Sequence, residues 1–299
     1  MSNVLRAQNL KLNNVTFSET KPLSIPGAKL AYINLNGGKI VVQGPKMQSR
    51  FGIRRWLNEE NGKYDYDIEL SFDENSQDLL QKNKELDEII KKQIKAKSKE
   101  WLGKPSISDE LLNDKYKPIV KLNERITLKN GEIKDFPPSF VLKLAGDQES
   151  NKFQSSKDIE LLFFDSNKNK MDVNLDDFVK NGDNKFDVHR LIAGNTCIIP
   201  VYEVSFLSFT KTSIKPRLKL VQAKVFPNTA NVINSYIMED DEEFEEDLDT
   251  EGEAEKNVDV DMEEELEEEL ESELEEELES EEVVEKPPVK RGRGKKLVL

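Results

Sequence analysis

Ten residues, Lys63-Tyr64-Asp65-Tyr66-Asp67-Ile68-Glu69-Leu70-Ser71-Phe72, alternate strictly between polar and apolar side chains. Alternation with this period predicts a β-strand that has one apolar face and one polar face. The apolar face carries two tyrosines and a phenylalanine, which we expect in the core rather than on a base-stacking platform. The polar face is mostly acidic, so we expect nucleic acid to avoid it.

Extended patterns also occur on both sides of this strand. Residues 28–35 and 39–43 flank Asn36-Gly37-Gly38, which is typical of a β-hairpin with a tight turn. After the strand, further extended patterns cover residues 139–144, 159–164, 196–209 and 217–226. On the last of these, strict alternation places Arg217, Lys219, Val221, Ala223 and Val225 on one face.

A helical insertion is predicted over residues 78–122. Its apolar side chains fall on one stripe, and lysines occupy most of the remaining positions; the stripe consists of Leu79, Leu86, Ile90, Ile94 and Trp101. Gly103 and Pro105 end this helix, and a shorter one begins near Ser108. Another short helix is predicted near residues 176–179. The fold class is therefore mainly β with a helical insertion (α+β), a compact barrel or sandwich elaborated by helices.

Charge divides the chain into three parts. Residues 239–285 hold 29 carboxylates against the single Lys256, a net charge of −28, and residues 286–299 add +6. Because the whole chain carries −15, residues 1–238 carry +7. We expect a basic body over residues 1–238, a disordered acidic tail over 239–285 and a basic C-terminal end over 286–299.

Signals for catalysis are weak. The single Cys197 and single His189 exclude a disulfide framework and a Cys/His zinc site. The sequence contains no phosphate-binding glycine loop, Cys197 lies in an apolar context, and His189 is expected at the surface or rim. Asp172, Asp176 and Asp177 have two interpretations, a Mg²⁺ site or a helix cap. We predict no enzyme and no cofactor.

The densest cluster of nucleic-acid-binding residue types lies where a strand is predicted to enter a loop, at Lys46, Arg50, Phe51, Arg54, Arg55 and Trp56. Cations neutralise phosphates, and aromatic faces stack on unpaired bases. In the alternative interpretation, the apolar members of this segment cap the core and the arginines are solvated.

Two other segments add basic residues. The late strands meet at a basic turn that includes Lys215, Arg217 and Lys219, which predicts a groove wall; edge-strand lysines that discourage aggregation are the alternative. The helix end provides Lys97, Lys99 and Lys104, with Trp101 either stacking on bases or supporting the platform. We expect a bound single strand of nucleic acid to lie between the 46–56 loop and this helix end.

Several short motifs resemble a family encoded by nucleocytoplasmic large DNA viruses. The resemblance spans residues 10–226 and rests on Gly44-Pro45-Lys46-Met47, Phe51-Gly52, residues 64–72, residues 98–104, Tyr116-Lys117-Pro118 and Phe136-Pro137-Pro138. That family is similar to OB-fold single-stranded DNA-binding proteins of tailed phages with acidic C-terminal tails. The resemblance implies an OB-like β-barrel, no catalysis and a part in viral DNA replication, recombination or repair. The C-terminal tails of the phage proteins end in acidic residues and a terminal aromatic residue, whereas this chain ends in a basic run and Leu299.

These observations predict a single-stranded DNA-binding protein whose acidic tail either competes for the DNA groove or docks replication proteins. The alternatives are an acidic chaperone or scaffold that binds basic proteins, and a virion structural protein. The closing basic run departs from the usual AT-hook core, because no proline follows Gly292-Arg293. Without a signal peptide or a long apolar run, we expect an intracellular, soluble protein with no membrane partner, in the host cytoplasm or nucleus.

Overall fold

A computed structural model describes residues 4–23, 27–57, 62–123, 126–127, 133–156, 159–182 and 184–226. The predicted acidic tail and basic end, residues 239–299, lie outside the described residues. The strands are β1 Leu5–Arg6, β2 Val15–Phe17, β3 Lys21–Pro22, β4 Lys29–Leu35, β5 Gly38–Gln43, β6 Met47–Leu57, β7 Tyr64–Ser71, β8 Ile126–Thr127, β9 Ile133–Lys134, β10 Ser139–Asp147, β11 Lys152–Ser156, β12 Ile159–Glu160, β13 Leu162–Phe164, β14 Lys170–Met171, β15 Phe178–Lys180, β16 Asp187–Ala193, β17 Cys197–Phe209 and β18 Ile214–Phe226. The α-helices are α1 Gln77–Ala96, α2 Ser98–Leu102 and α3 Asp109–Lys115.

Five of the strands pair in a closed circuit. β17 pairs with β18, β18 with β10, β10 with β7, and β7 with β6. β6 then returns to β17, where Gln48 lies opposite Cys197 and Met47 opposite Ile198. The interior of this ring holds fully buried aliphatic side chains such as Ile53, Ile68 and Leu142. The described chain is thus mainly β with three α-helices, which agrees with the predicted class.

The predicted hairpin and the alternating strand are confirmed. β4 and β5 pair across Asn36 and Gly37, whose φ values of 53° and 79° suit a tight turn of the kind that follows the strand twist. In β7 the apolar face is buried, with Ile68 1% exposed and Leu70 fully buried, because it faces the ring interior. Tyr64 is the exception, since it lies at the rim with 37% of its surface exposed.

The segment predicted as a helical insertion contains α1, α2 and α3, with a break between the first two. Ser76 and Asp73 exchange hydrogen bonds before α1 begins, and every apolar residue of the predicted stripe is buried. Each fully buried leucine or isoleucine contributes roughly 1.5–3 kcal/mol relative to exposure. The helix does not run unbroken to Gly103, because Lys97 leaves helical geometry and α2 restarts at Ser98. The shorter helix α3 begins as predicted, with Ser108 accepting a hydrogen bond from the Leu111 N–H at 3.3 Å.

Three local predictions are wrong. Residues 46–56 do not form a loop, because Met47–Leu57 pairs with β7, β16 and β17 as β6. Residues 176–179 do not form a helix, since Phe178–Lys180 pairs with β16 as strand β15. His189 is not at the surface but fully buried, because β15 lies beside it and brings the Phe178 ring to 5.1 Å.

The predicted faces of β18 are also wrong beyond Leu220. Tyr202 pairs with Leu220 and the preceding Val201 pairs with Gln222, so Val221 is an extra residue that forms a β-bulge. A bulge reverses the alternation of side chains. Leu218 and Leu220 therefore point inward before it, and Ala223 and Val225 point inward after it.

Candidate nucleic-acid interface

A groove of about 430 Å³ lies between the outer face of the ring and the segment that follows α3. We call it the basic groove. Six of its thirteen lining residues are cations and one is a carboxylate, so the lining carries +5 on a chain whose total is −15. The lining residues are Arg54, Trp56, Asp67, Lys117, Pro118, Ile119, Lys121, Val141, Lys143, Lys215, Pro216, Arg217 and Leu218.

A row of charged residues crosses four paired strands beside the groove. Arg54 on β6 lies opposite Asp67 on β7, Asp67 opposite Lys143 on β10, and Lys143 opposite Lys219 on β18. Residues directly opposite one another in a sheet point to the same face. The row therefore brings together cations that are far apart in the sequence.

Arg54 forms ion pairs with two carboxylates on the acidic face of β7. Its Nε and Nη2 each lie 2.8 Å from Asp67 Oδ1, and Nη1 lies 3.4 Å from Glu69 Oε2. Asp67 is only 4% exposed. Strand pairing thus places an arginine across from Asp67, and the expectation that nucleic acid avoids this face stays a prediction.

The other wall of the groove is the segment 116–121, which is fixed at both ends. The Lys117 N–H donates to the Ile214 carbonyl at 2.9 Å, and Lys121 exchanges backbone hydrogen bonds of 2.8 and 3.0 Å with Ser139. The exposed side chains of Lys117 and Lys121 form no ion pair with the residues that the structure describes. Their charges are therefore available on a wall that is attached to β10 and β18.

A buried carboxylate holds the middle of this wall. Asp87 of α1 is 4% exposed and accepts hydrogen bonds from the Tyr116 hydroxyl at 2.6 Å and the Ile119 N–H at 3.0 Å. Burial raises the pKa of the Asp87 carboxyl, and these hydrogen bonds oppose the rise. The wall thus depends on a polar contact with the helical insertion.

Trp56 gives the groove an aromatic surface. Its ring is half-buried, with Lys143 Nζ 5.1 Å and the Arg54 guanidinium carbon 5.8 Å from the ring centroid. An aromatic face beside several lysines suits an unpaired base together with its phosphates. The same arrangement offers no nucleophile or acid–base pair.

The structure joins two of the candidate clusters. Arg54 and Trp56 line the basic groove together with Lys215 and Arg217, and Lys219 lies in the adjoining row. Arg217 is only 7% exposed, and its Nε donates to Ser208 Oγ at 3.3 Å, so it is partly a structural residue. The contact of these five residues with DNA stays a prediction.

Other candidates from the β6 segment lie outside the groove lining. Arg55 binds Asp187 at 2.7 Å, and its guanidinium carbon lies 4.5 Å from the Tyr64 ring centroid and 4.6 Å from that of Phe178. Lys46 is exposed, with its Nζ 4.3 Å from the Phe226 ring centroid. Arg50 and Phe51 belong to a neighbouring aromatic cluster that is described below.

The helix-end candidates are also not part of the groove lining. Lys97, Lys99 and Lys104 are exposed, and Lys97 pairs with Glu100 at 2.6 Å. Trp101 is 2% exposed and packs against Phe17 and Phe209, at 5.7 and 5.3 Å between ring centroids. This burial excludes base stacking and favours the supporting role.

Sequence reasoning missed Lys117, Lys121 and Lys143. Lys143 carried a signal, because it alternates with buried residues in the predicted strand 139–144 and so belongs on the outer face. The sequence pattern around Lys117 and Lys121 gave no such indication, because their segment lies beside the sheet only through backbone hydrogen bonds to Ile214 and Ser139.

Comparison with known proteins finds only a weak structural likeness. Neither a protein-family model nor a curated protein matches the chain. Among solved structures, it is similar to the single-stranded DNA-binding protein from bacteriophage Enc34 in complex with ssDNA, with 10% identity, a TM-score of 0.34, and coverage of 66% of this chain and 90% of that one. A likeness at this level leaves the function of the chain open. In the part of the chain that the structure describes, every helix is too short or too polar to cross a membrane.

Proposed function

We propose that this chain is a non-catalytic single-stranded DNA-binding protein that holds the strand in the basic groove. The observation that carries the proposal is the groove lining, which contains six cations, one carboxylate and the Trp56 ring on a chain of net charge −15. Phosphates would lie against the lysines of the two walls, and a base would stack on Trp56. Arg54 would position Trp56 rather than bind phosphate, because Asp67 and Glu69 already occupy its guanidinium.

The proposal includes the finer expectations from the sequence. The closed circuit of five strands would be an OB-like barrel, a fold whose sheet face is often used for nucleic acids. Membership of the viral family, a role in viral DNA replication, recombination or repair, and a location in the host cytoplasm or nucleus rest on the sequence motifs alone.

The acidic tail enters the proposal through its charge. Residues 239–285 carry −28, and the preceding residues carry +7, so the tail is a polyanion covalently linked to a basic body. It would compete with DNA for the basic groove, or it would dock basic replication proteins. Removal of residues 239–299 should tighten DNA binding if the tail competes, and should leave it unchanged if the tail only docks partners.

A salt titration tests the proposed function. Four lysines line the groove, Lys117, Lys121, Lys143 and Lys215, which predicts a slope of log K against log salt of about −3 for a single strand. Affinity for a labelled oligothymidylate should therefore fall about 50-fold from about 50 to about 200 mM salt. Fluorescence anisotropy of residues 1–238 and of the full chain measures both the slope and the effect of the tail.

Duplex DNA and the isolated tail provide the comparisons. The single strand should bind more tightly than a duplex of the same length, since only unpaired bases can stack on Trp56. Failure of residues 1–238 to bind a single strand at low salt would refute the proposal. Capture of basic proteins by residues 239–299, together with a body that ignores DNA, would support the chaperone alternative instead.

A further inference from the structure

We infer that the DNA-binding surface extends beyond the basic groove along β6, over a row of aromatic rings and arginines that ends at Phe136. We call this row the aromatic track; it consists of Trp56, Arg54, Phe186, Phe51, Arg50 and Phe136. The inference rests on the proposed function and deepens it, because it makes the ligand a single strand longer than the groove itself.

Arg54 is the centre of the first part of the track. Its guanidinium carbon lies 5.4 Å from the Phe51 ring centroid, 5.8 Å from that of Trp56 and 5.7 Å from that of Phe186. The Phe51 and Phe186 rings meet edge to face at 5.9 Å. One arginine, held by its carboxylate partners, therefore links the groove tryptophan to two further rings.

Arg50 continues the track away from the groove. Its guanidinium carbon lies 5.0 Å from the Phe51 ring centroid and 4.0 Å from that of Phe136. Arg50 is exposed and forms no ion pair with the described part of the chain. Arg50 thus places a cation with an available charge between the partly exposed rings of Phe51 and Phe136.

A β-bulge brings these side chains out of the regular ladder. The register of β6 against β7 shifts between Ser49 and Ile53, and Gly52 has φ 75° and donates its N–H to Ser49 Oγ at 3.0 Å. A bulge bends the strand and redirects side chains. Here it places Phe51 beside the ring of Phe186 and Arg50 beside the ring of Phe136, two rings from distant segments of the chain.

The chemistry of the track fits a polynucleotide. Partly buried rings lie beside guanidinium groups, so that successive bases stack on the rings while a phosphate meets Arg50, whose charge is available. A single short ligand would need only the groove. Affinity should therefore rise with strand length, and only the longer strands should depend on Phe136 and Phe186.

The test compares two lengths of labelled oligothymidylate, about 4 and about 16 nucleotides, which bracket the usual site size of one such fold. The full-length variants Phe136→Leu, Phe186→Leu and Arg50→Gln are titrated at low salt. Each should weaken binding of the long strand about tenfold and leave the short strand unchanged. Tyr32→Leu is the matched control, because it removes a partly buried ring next to a cation, Lys21 at 5.3 Å, on a strand that does not pair with β6.

The outcomes separate the inference from the proposed function. If the wild type binds neither strand, the proposed function fails. If the wild type binds both and the variants bind the long strand as tightly as the wild type, the aromatic track is not part of the site. An equal loss for both lengths also refutes the extension. Arg50→Gln keeps the test valid if a phenylalanine variant does not fold, because its side chain is exposed.

Discussion

Replacement of Gly52 by alanine should destabilise the protein severely. The added Cβ would lie 2.0 Å from the Ile192 carbonyl oxygen and 2.5 Å from the Ala193 carbonyl carbon. Both contacts are with backbone, so no side chain can rotate away. The φ of 75° adds a second cost, because L-residues with a side chain rarely adopt it.

The magnitude follows from these two costs. The left-handed conformation costs roughly 1–2 kcal/mol for alanine. Overpacking against a fixed neighbour adds typically about 1–3 kcal/mol, and here the overlap favours the upper end. We therefore expect Gly52→Ala to lower the free energy of unfolding by about 3–5 kcal/mol, a large fraction of typical domain stability.

Gly37→Ala is the matched control. Gly37 has φ 79°, but a Cβ there would meet no atom within 4 Å, so it carries the conformational cost alone. Urea unfolding followed by far-ultraviolet circular dichroism gives both free energies. If Gly52→Ala is no more destabilising than Gly37→Ala, β16 does not lie against the bulge, and the geometry of the aromatic track is wrong.

Three further predictions concern the groove and the buried titratable groups. Lys121→Gln should reduce the steepness of the salt slope by about 0.7, whereas Lys84→Gln on the exposed side of α1 should not change it; equal slopes would remove Lys121 from the phosphate contacts. Tyr116→Phe should cost about 1–3 kcal/mol in urea unfolding, because it removes a hydrogen bond to buried Asp87; an unchanged midpoint would contradict that contact. Burial lowers the pKa of His189, the only histidine in the sequence, so the unfolded chain binds a proton at a higher pH than the folded protein does. The free energy of unfolding should therefore decrease as the pH falls below about 6.5. The His189→Gln variant should lack this pH dependence when its free energy of unfolding is measured at several pH values. If the dependence persists in the variant, other titratable groups cause it.

The sequence was informative wherever local periodicity reports burial. The strand 63–72, the turn at Asn36-Gly37 and the apolar stripe from Leu79 to Trp101 were all predicted correctly. Their signals are local, because each strand or helix must turn one apolar face to the core. The same reasoning failed on β18, where the Val221 bulge reversed the faces, and on β6, where a chain rich in arginines proved to be a paired strand.

The candidate site was predicted in pieces. Composition alone identified Trp56, Arg54 and the basic residues near Lys215 as suited to nucleic acid. It could not show that these residues line one groove, or that Arg55 and Trp101 are occupied by internal contacts. Arg55 pairs with Asp187 and Trp101 packs against Phe209, each more than a hundred positions away, and the sequence pattern around Arg55 and Trp101 does not identify these partners.

The amino-acid sequence by itself determined a basic β-rich body, a helical insertion and a strongly acidic C-terminal segment, because charge and short-range periodicity are properties of the chain. Only the tertiary structure decided which cations are neutralised and which remain available. Arg54 is paired because β7 lies beside β6. Lys117 and Lys121 lie beside the sheet because backbone hydrogen bonds attach their segment to β18 and β10. Electrostatic potential depends on distance in space, and the fold sets that distance.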